Sequence, residues 1–291
     1  MGERRVRVIE GGDWYEHPKW YDTLHWPGTV AEVRGLERVA RDWCGGEASW
    51  DGERCLRMFE PGCGTARHLR VAAERGHRVV GLDVSRAMLA YGRGRLSGRG
   101  LGGRLVEGDM ADFGCREVLG EGEGGFDLAF CLANSVRHLG VGEAAGSDAA
   151  VAGHLRCVGG VLKGGGVYAV DVGLTVYGLE EETEDVWEGS RGPLRVTQVV
   201  QYLPASAGER REGVVSQLAV VTPSEEAHFG HRYELRSFDG GEWSRAVEAG
   251  GMEVLGVVDE DGEVLFGPGD DGWRRGWMGA GVFLLGRRCA G

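Results

Sequence analysis

Residues 54 to 173 alternate short apolar runs with helical stretches, and this most constrains what the chain can fold into. Leu56 to Glu60 reads as a strand, followed by the loop Pro61-Gly62-Cys63-Gly64 and a helix to about Gly76. Arg78 to Asp83 is a second strand, and Ser85 stands where a helix to Leu96 needs an N-cap. Leu105 to Glu107 and Phe126 to Leu132 follow as strands, the latter almost continuously apolar, as a strand buried on both faces must be. A helix near 148–163 leads through Gly164-Gly165-Gly166 to a fifth strand, Val167 to Val172. Strands and helices alternating at this spacing predict an α/β fold on a mostly parallel sheet with right-handed crossovers.

After Gly173 the texture changes. Leu194 to Leu203, Val214 to Thr222 and His228 to Phe238 read as antiparallel strands inserted into the α/β domain, too short to form a separate core. The acidic run Glu180 to Asp185 reads as a solvated loop. Ser244 to Ala249 is helical, Met252 to Val258 a strand, and Val282 to Leu285 a final strand. The expected division is an aromatic N-terminal lid and helix (1–45), a core (46–173), inserted strands (174–238) and a C-terminal part completing the core sheet (239–291).

The formal charge of −12 disfavours a nucleic-acid partner, because nothing would offset phosphate repulsion. Apolar runs fall short of the roughly 20 residues a membrane helix needs, and the start has no apolar stretch typical of a signal peptide. Seven scattered cysteines have no metal-site spacing and read as free, buried thiols, so no metal is expected. The expectation is a cytoplasmic protein, monomer or homodimer. Glycine occurs 54 times, while Lys stands only at 19 and 163 and Asn only at 134. That bias weakens any single glycine as a signal and draws attention to Lys163 and Asn134.

The glycine loop lies where nucleotide-binding α/β folds hold a cofactor, and Asp83, nineteen residues after Gly64, can accept from ribose hydroxyls. Two residues argue against a dinucleotide. Arg67 stands where close helix packing under a pyrophosphate wants a small side chain. Glu60 puts a carboxylate just before the loop, where it would repel phosphate but suit an ammonium. A ligand with adenosine at one end and an ammonium at the other is S-adenosylmethionine.

The stretch Phe59-Glu60-Pro61-Gly62-Cys63-Gly64-Thr65, with Gly81 to Leu89, Val106 to Phe113, Phe126 to Phe130 and Leu162 to Gly166, resembles class I S-adenosylmethionine-dependent methyltransferases. The resemblance implies a seven-stranded Rossmann-like sheet with an inserted antiparallel β lid, and S-adenosylhomocysteine as product. Glu60 and the backbone around Gly62, Cys63 and Gly64 would hold the methionyl amine, with Tyr21 and Arg67 as further contacts. Asp83 would take the ribose hydroxyls, with Val84 and Met88 beside the adenosine. Asp109, after Gly108, would accept from the adenine amino group, Met110 would cover the ring, and the Leu132 carbonyl would lie near the sulfonium. Strand-end capping is the alternative for Glu60 and Asp83, and core packing for Met110.

Methyl transfer needs in-line placement of a nucleophile more than acid–base machinery. The acceptor side therefore belongs beyond the fourth strand, at Asn134, Ser135 and His138, with His138 the candidate base or orienting group. A helix-capping histidine is its structural alternative. Tyr15 and the Tyr21-Asp22 pair belong to an aromatic lid, and Arg232 and Tyr233 of the insert are candidate substrate contacts. The insert's position resembles sugar-amine N,N-dimethyltransferases, implying a small-molecule N or O acceptor. A non-catalytic cofactor-binding protein and a nicotinamide oxidoreductase are the competing readings.

Overall fold

The computed structural model describes residues 5–10, 14–121, 123–143, 147–279 and 281–288. Strand β1 (Arg5–Glu10) comes first, then helices α1 (Pro18–His25) and α2 (Thr29–Trp43). The alternating stretch forms β2 (Arg57–Pro61), α3 (Arg67–Glu74), β3 (Arg78–Asp83), α4 (Arg86–Ser97) and β4 (Arg104–Glu107). It continues as α5 (Cys115–Leu119), β5 (Phe126–Cys131), α6 (Ala149–Val161) and β6 (Leu162–Asp171). Next come β7 (Thr183–Arg191), β8 (Leu194–Leu203), β9 (Arg211–Val221) and β10 (Glu225–Arg236). The chain closes with α7 (Gly240–Ala249), β11 (Met252–Val258), β12 (Val264–Phe266) and β13 (Val282–Arg287).

The main sheet has the order β12-β11-β13-β6-β5-β2-β3-β4. Strands β2 to β6 pair in parallel, and β13 joins β6 antiparallel, as expected of a reversed final strand. The seven expected strands are present, with the three-residue β12 added as an edge. Both faces of the sheet are covered. Phe59, Ala129, Tyr168 and Val170 face the α5–α6–α7 side, while Met58, Leu128, Phe130 and Val167 alternate to the α2–α3 side. The sheet order reverses direction between β2 and β5, so their C-terminal ends open the crevice where such folds bind ligands.

Local chemistry explains the helix starts. Ser85 accepts from the Met88 amide to cap α4, and Asp239 and Glu242 form a reciprocal capping box on α7. Each cap contributes about 1 kcal/mol. The Gly164–Gly166 run, expected before the fifth strand, lies inside β6, where the register with β5 shifts. Lys163 donates to Asp127, a fully buried carboxylate also held by Arg54 and the Arg57 amide, so its retention has a structural reason.

The second sheet corrects two expectations. Its order is β1-β10-β9-β8-β7, five strands and not three. Glu180–Glu182 is outside any strand, but Thr183–Arg191, beginning within the acidic run, is the edge strand β7. Most of β7 is exposed, and charged side chains suit an unpaired edge, which erased the apolar alternation. β1 pairs in parallel with β10, a partner more than two hundred residues away. The sheet's inner face has small apolar clusters, one of them completed by Leu24, Trp14 and Trp20 of the N-terminal segment. Gly189 on β7 lets α1 dock, since a Cβ there would run into the Thr23 carbonyl.

Of the cysteines, Cys44, Cys63 and Cys131 are buried, whereas Cys55 and Cys115 are exposed, correcting the expectation that all are buried. Cys289 lies outside the described residues. Among the described residues no His/Cys/Asp/Glu group could hold a metal, and no helix is long and apolar enough to cross a membrane.

Candidate functional site

The crevice at the ends of β2 and β5 is built around one buried acid. Glu60 is 4% exposed, and its Oε1 lies 2.6 Å from His68 Nδ1 on α3. Its other oxygen, Oε2, is buried without a hydrogen-bond partner. A buried carboxylate oxygen left unpaired costs free energy unless a donor meets it, so it marks a place for a cationic ligand group. Burial pushes the Glu60 carboxyl above its ordinary value, against the pull of His68 and Arg67. His68 Nε2 lies 3.0 Å from Glu32 on α2, which also pairs with Arg67. Burial opposes the Glu32 charge, yet His68 and Arg67 bring its pKa down to about 2.

The loop after Glu60 is tightly bound to its neighbours. The amides of Gly62 and Cys63 both donate to the Leu82 carbonyl, and a Cβ on Gly81 would meet Cys63 Sγ at 2.6 Å. Cys63 thus places its thiol in the core and leaves only its backbone to the loop. Arg67 donates to Thr29 and Glu32, so its guanidinium clamps α2 onto the loop. Asp83 Oδ2 accepts from the Gly64 amide at 2.7 Å and Oδ1 from the Ser85 amide at 2.8 Å. The strand-end capping alternative is therefore real for Asp83, but each oxygen retains a second lone pair for a ligand.

Around the loop the other expected residues divide by position. A Cβ on Gly62 would lie 3.3 Å from Met110 Sδ and 3.9 Å from Ser135 Cβ, so both side chains stand over the loop. Asp109 is exposed and accepts from the Ala111 amide. Val84 is exposed, Met88 is buried, and Gly108 packs on Leu82 with its amide tied to the Asp83 carbonyl. The Leu132 carbonyl accepts from the Ser135 hydroxyl at 2.9 Å.

The N-terminal segment forms one wall. The Tyr21 ring stands 3.8 Å from where a Gly64 Cβ would be. It lies 4.8 Å from the Trp14 ring, 5.8 Å from Tyr15 and 4.4 Å from His25, which meets Trp187 of the insert edge-on at 5.5 Å. Burial pushes the Tyr21 hydroxyl up to about 12 and His25 down to about 3. Asp22 is fully buried and accepts from Arg95 on α4, Arg191 on β7, Thr65 of the loop and Tyr91. One carboxylate thus ties the aromatic segment, the core and the insert together.

The opposite wall begins at the turn after β5. Asn134 has φ 56°, a left-handed conformation that Asn tolerates, and its Oδ1 accepts from the Gly173 amide at 2.8 Å. The chain's one Asn is thus explained as a bracket between this turn and the end of β6. His138 stacks on Tyr233 of the insert at 5.6 Å, and Tyr233 meets His231 at 5.3 Å. Burial of its ring, then Arg137, holds His138 below its ordinary pKa, hence neutral near pH 7. Strand alternation turns Arg232 away from His231 and Tyr233, to the opposite and exposed face. Arg236, at the end of β10, is 1% exposed and donates to the Ser147 carbonyl.

Sequence reasoning missed His68, Glu32, His25 and Asp171. Glu32, Leu132, Ala133 and Asp171 line a cavity of about 140 Å³ between α2, the turn after β5 and the end of β11. Burial pushes the Asp171 carboxyl up to about 6, although the Asn134 amide donates to it. Because its folded pKa lies above the ordinary 3.8, Asp171 contributes stability that is full below that value and lost as pH rises through about 6. The Asp171→Asn variant, fixed neutral, should therefore match the wild-type melting temperature in acid and exceed it at about pH 8. A variant melting lower than wild type at the alkaline end would contradict this.

Comparison with known proteins fits this geometry. Residues 59–159 match the family model of a methyltransferase domain, and no curated protein matches the sequence. Three solved structures share the fold across nearly the whole chain. DesVI of Streptomyces venezuelae is 20% identical with a TM-score of 0.67, covering 94% of this chain and 98% of its own. The amino pentose methyltransferase of Micromonospora echinaspora, solved with S-adenosylmethionine, is 24% identical at 0.61, covering 95% and 98%. The sugar N-methyltransferase of Streptoalloteichus is 19% identical at 0.62, covering 99% and 98%. Residues 59–159 thus match a methyltransferase domain, and the chain as a whole has the fold of these three methyltransferase structures.

Proposed function

We propose that the chain transfers the methyl group of S-adenosylmethionine to a nitrogen or oxygen of a small molecule, an amine being the favoured acceptor. The observation that carries the reading is Glu60 Oε2, a buried carboxylate oxygen with no partner beside the glycine loop. An ammonium fits that oxygen, whereas a pyrophosphate would be repelled by it. The named relatives, an amino pentose methyltransferase and a sugar N-methyltransferase, support an amine. We read the protein as cytoplasmic and the expected four-part division as functional: lid, cofactor core, substrate platform and sheet completion.

When bound, the sulfonium supplies an electrophilic methyl group and a neutral leaving thioether. Glu60 and the loop backbone hold the methionyl ammonium, and Asp83 takes the ribose hydroxyls. Asp109 and Met110 hold the adenine, with Val84 and Met88 beside the adenosine, and Arg67 keeps α2 closed over the loop. Tyr21 and its aromatic neighbours exclude water from the methyl. Ser135 and the Leu132 carbonyl line the approach, and Asn134 fixes their turn. His138, neutral and stacked on Tyr233, accepts a proton or hydrogen bond from the acceptor.

The test is to incubate the chain with S-adenosylmethionine and amino sugars, small amines and phenols, and to look for a product heavier by one CH2 unit. With an acceptor found, His138→Ala should lower turnover about 10²–10⁴-fold with little change in cofactor affinity. Wild-type turnover across neutral pH would leave His138 a structural residue.

A further inference from the structure

His68 stands between two carboxylates from different elements. Its Nδ1 is 2.6 Å from Glu60 Oε1 at the end of β2, and its Nε2 is 3.0 Å from Glu32 Oε2 on α2. The residue is 4% exposed. From β5 the Phe130 ring packs edge-on at 5.8 Å, and on α3 itself Arg67 pairs with the same Glu32. On α1, His25 is the other imidazole within electrostatic reach, and burial keeps it neutral. Glu60, His68, Glu32 and Arg67 therefore form a row of alternating charge.

A neutral imidazole donates from one nitrogen only, so carboxylates at both nitrogens select the imidazolium. Its Nδ1–H then engages Glu60 Oε1, and Oε2 is left buried and unpartnered. We propose that His68 is a positioning residue that keeps Glu60 ionised and turns Oε2 toward the ammonium of S-adenosylmethionine. The inference rests on the proposed function, which places that ammonium at Glu60. Without a cation beside it, a carboxyl this deeply buried takes up a proton and can no longer pair with an ammonium. The geometry is supported by the direction of titration. Burial and Arg67 oppose the His68 charge, but Glu60 and Glu32 outweigh them and raise its pKa.

The test is calorimetric titration of the full chain, wild type and His68→Gln, with S-adenosylhomocysteine and with 5′-methylthioadenosine. The second ligand keeps adenosine and ribose but lacks the ammonium. At about pH 6 the variant should bind S-adenosylhomocysteine at least ~10-fold more weakly, the scale of one charge-assisted hydrogen bond. That loss should shrink as pH rises and Glu60 ionises unaided, while methylthioadenosine affinity stays within about twofold. Equal weakening of both ligands, or an unchanged affinity and pH profile for S-adenosylhomocysteine, would overturn the role. If the variant does not fold, the wild-type His68 ring can be titrated by NMR. An imidazolium at about pH 7 is expected, and a neutral ring there overturns the proposal. Wild-type protein that binds neither ligand would instead overturn the proposed function, and this inference with it.

Discussion

Replacing Asp22 with Asn should lower the melting temperature by roughly 6–12 °C and speed release of bound cofactor. The carboxylate is fully buried and faces two guanidiniums, Arg95, 14% exposed, and Arg191, 36% exposed. Removing one partner of a buried ion pair leaves uncompensated charge and typically costs 3–5 kcal/mol, and Arg191's exposure places the expectation near about 3. For a chain of this size each kcal/mol is worth roughly 2–4 °C. The asparagine oxygen can still accept on one side, from Thr65 or from Tyr91, so the loss reports the charge together with one hydrogen-bond acceptor. The kinetic effect follows from position, because Tyr21 precedes Asp22 on α1 and stands over Gly64. Thermal denaturation with stopped-flow release of S-adenosylhomocysteine measures both, and wild-type values in both would reduce α1 to passive packing.

The second large effect is expected at Asp83. Asp83→Ala removes a carboxylate that accepts from the Gly64 and Ser85 amides and, in the proposed complex, from two ribose hydroxyls. Hydrogen bonds to a charged group contribute about 1.5–3 kcal/mol each, so affinity should fall about a hundredfold or more. Both S-adenosylhomocysteine and methylthioadenosine carry the ribose, so both should weaken alike. That pattern separates Asp83 from His68, whose variant should affect only the ammonium-bearing ligand. Asp83→Asn, which can still accept from one of the two amides, checks with thermal denaturation beside it that the loss reflects the ligand and not a collapsed loop. Unchanged affinity in both variants would remove Asp83 from the ligand site and leave it a strand-end cap.

What could be read from the chain follows the range of the forces involved. β5 was legible because a strand covered on both faces is apolar almost throughout, and all six of its residues are buried, Asp127 alone being charged. The α4 start was legible because Ser85 caps it from within four residues. β7 was not, because an exposed edge strand carries charge where a buried one carries valine. β1 was not, because its pairing with β10 joins opposite ends of the chain and leaves no local pattern. The site divides the same way. Glu60 and Asp83 stand out because carboxylates at strand ends beside a glycine loop are chemically distinctive. His68 and Glu32 do not, because a histidine and a glutamate on two helices have no visible relation until folding sets them 3.0 Å apart. Asn134 drew attention by rarity, and the structure explains it through its backbone conformation and its bond to Gly173.

The central claim is that the crevice built by Glu60, the glycine loop and Asp83 takes S-adenosylmethionine and refuses a dinucleotide. Calorimetric titration of the wild-type chain with S-adenosylhomocysteine and, separately, with NAD tests it most directly. The account predicts saturable binding of S-adenosylhomocysteine at one site per chain and no heat of binding with NAD. Saturable NAD binding with none for S-adenosylhomocysteine would contradict it, because the unpartnered Glu60 oxygen would then be facing a phosphate.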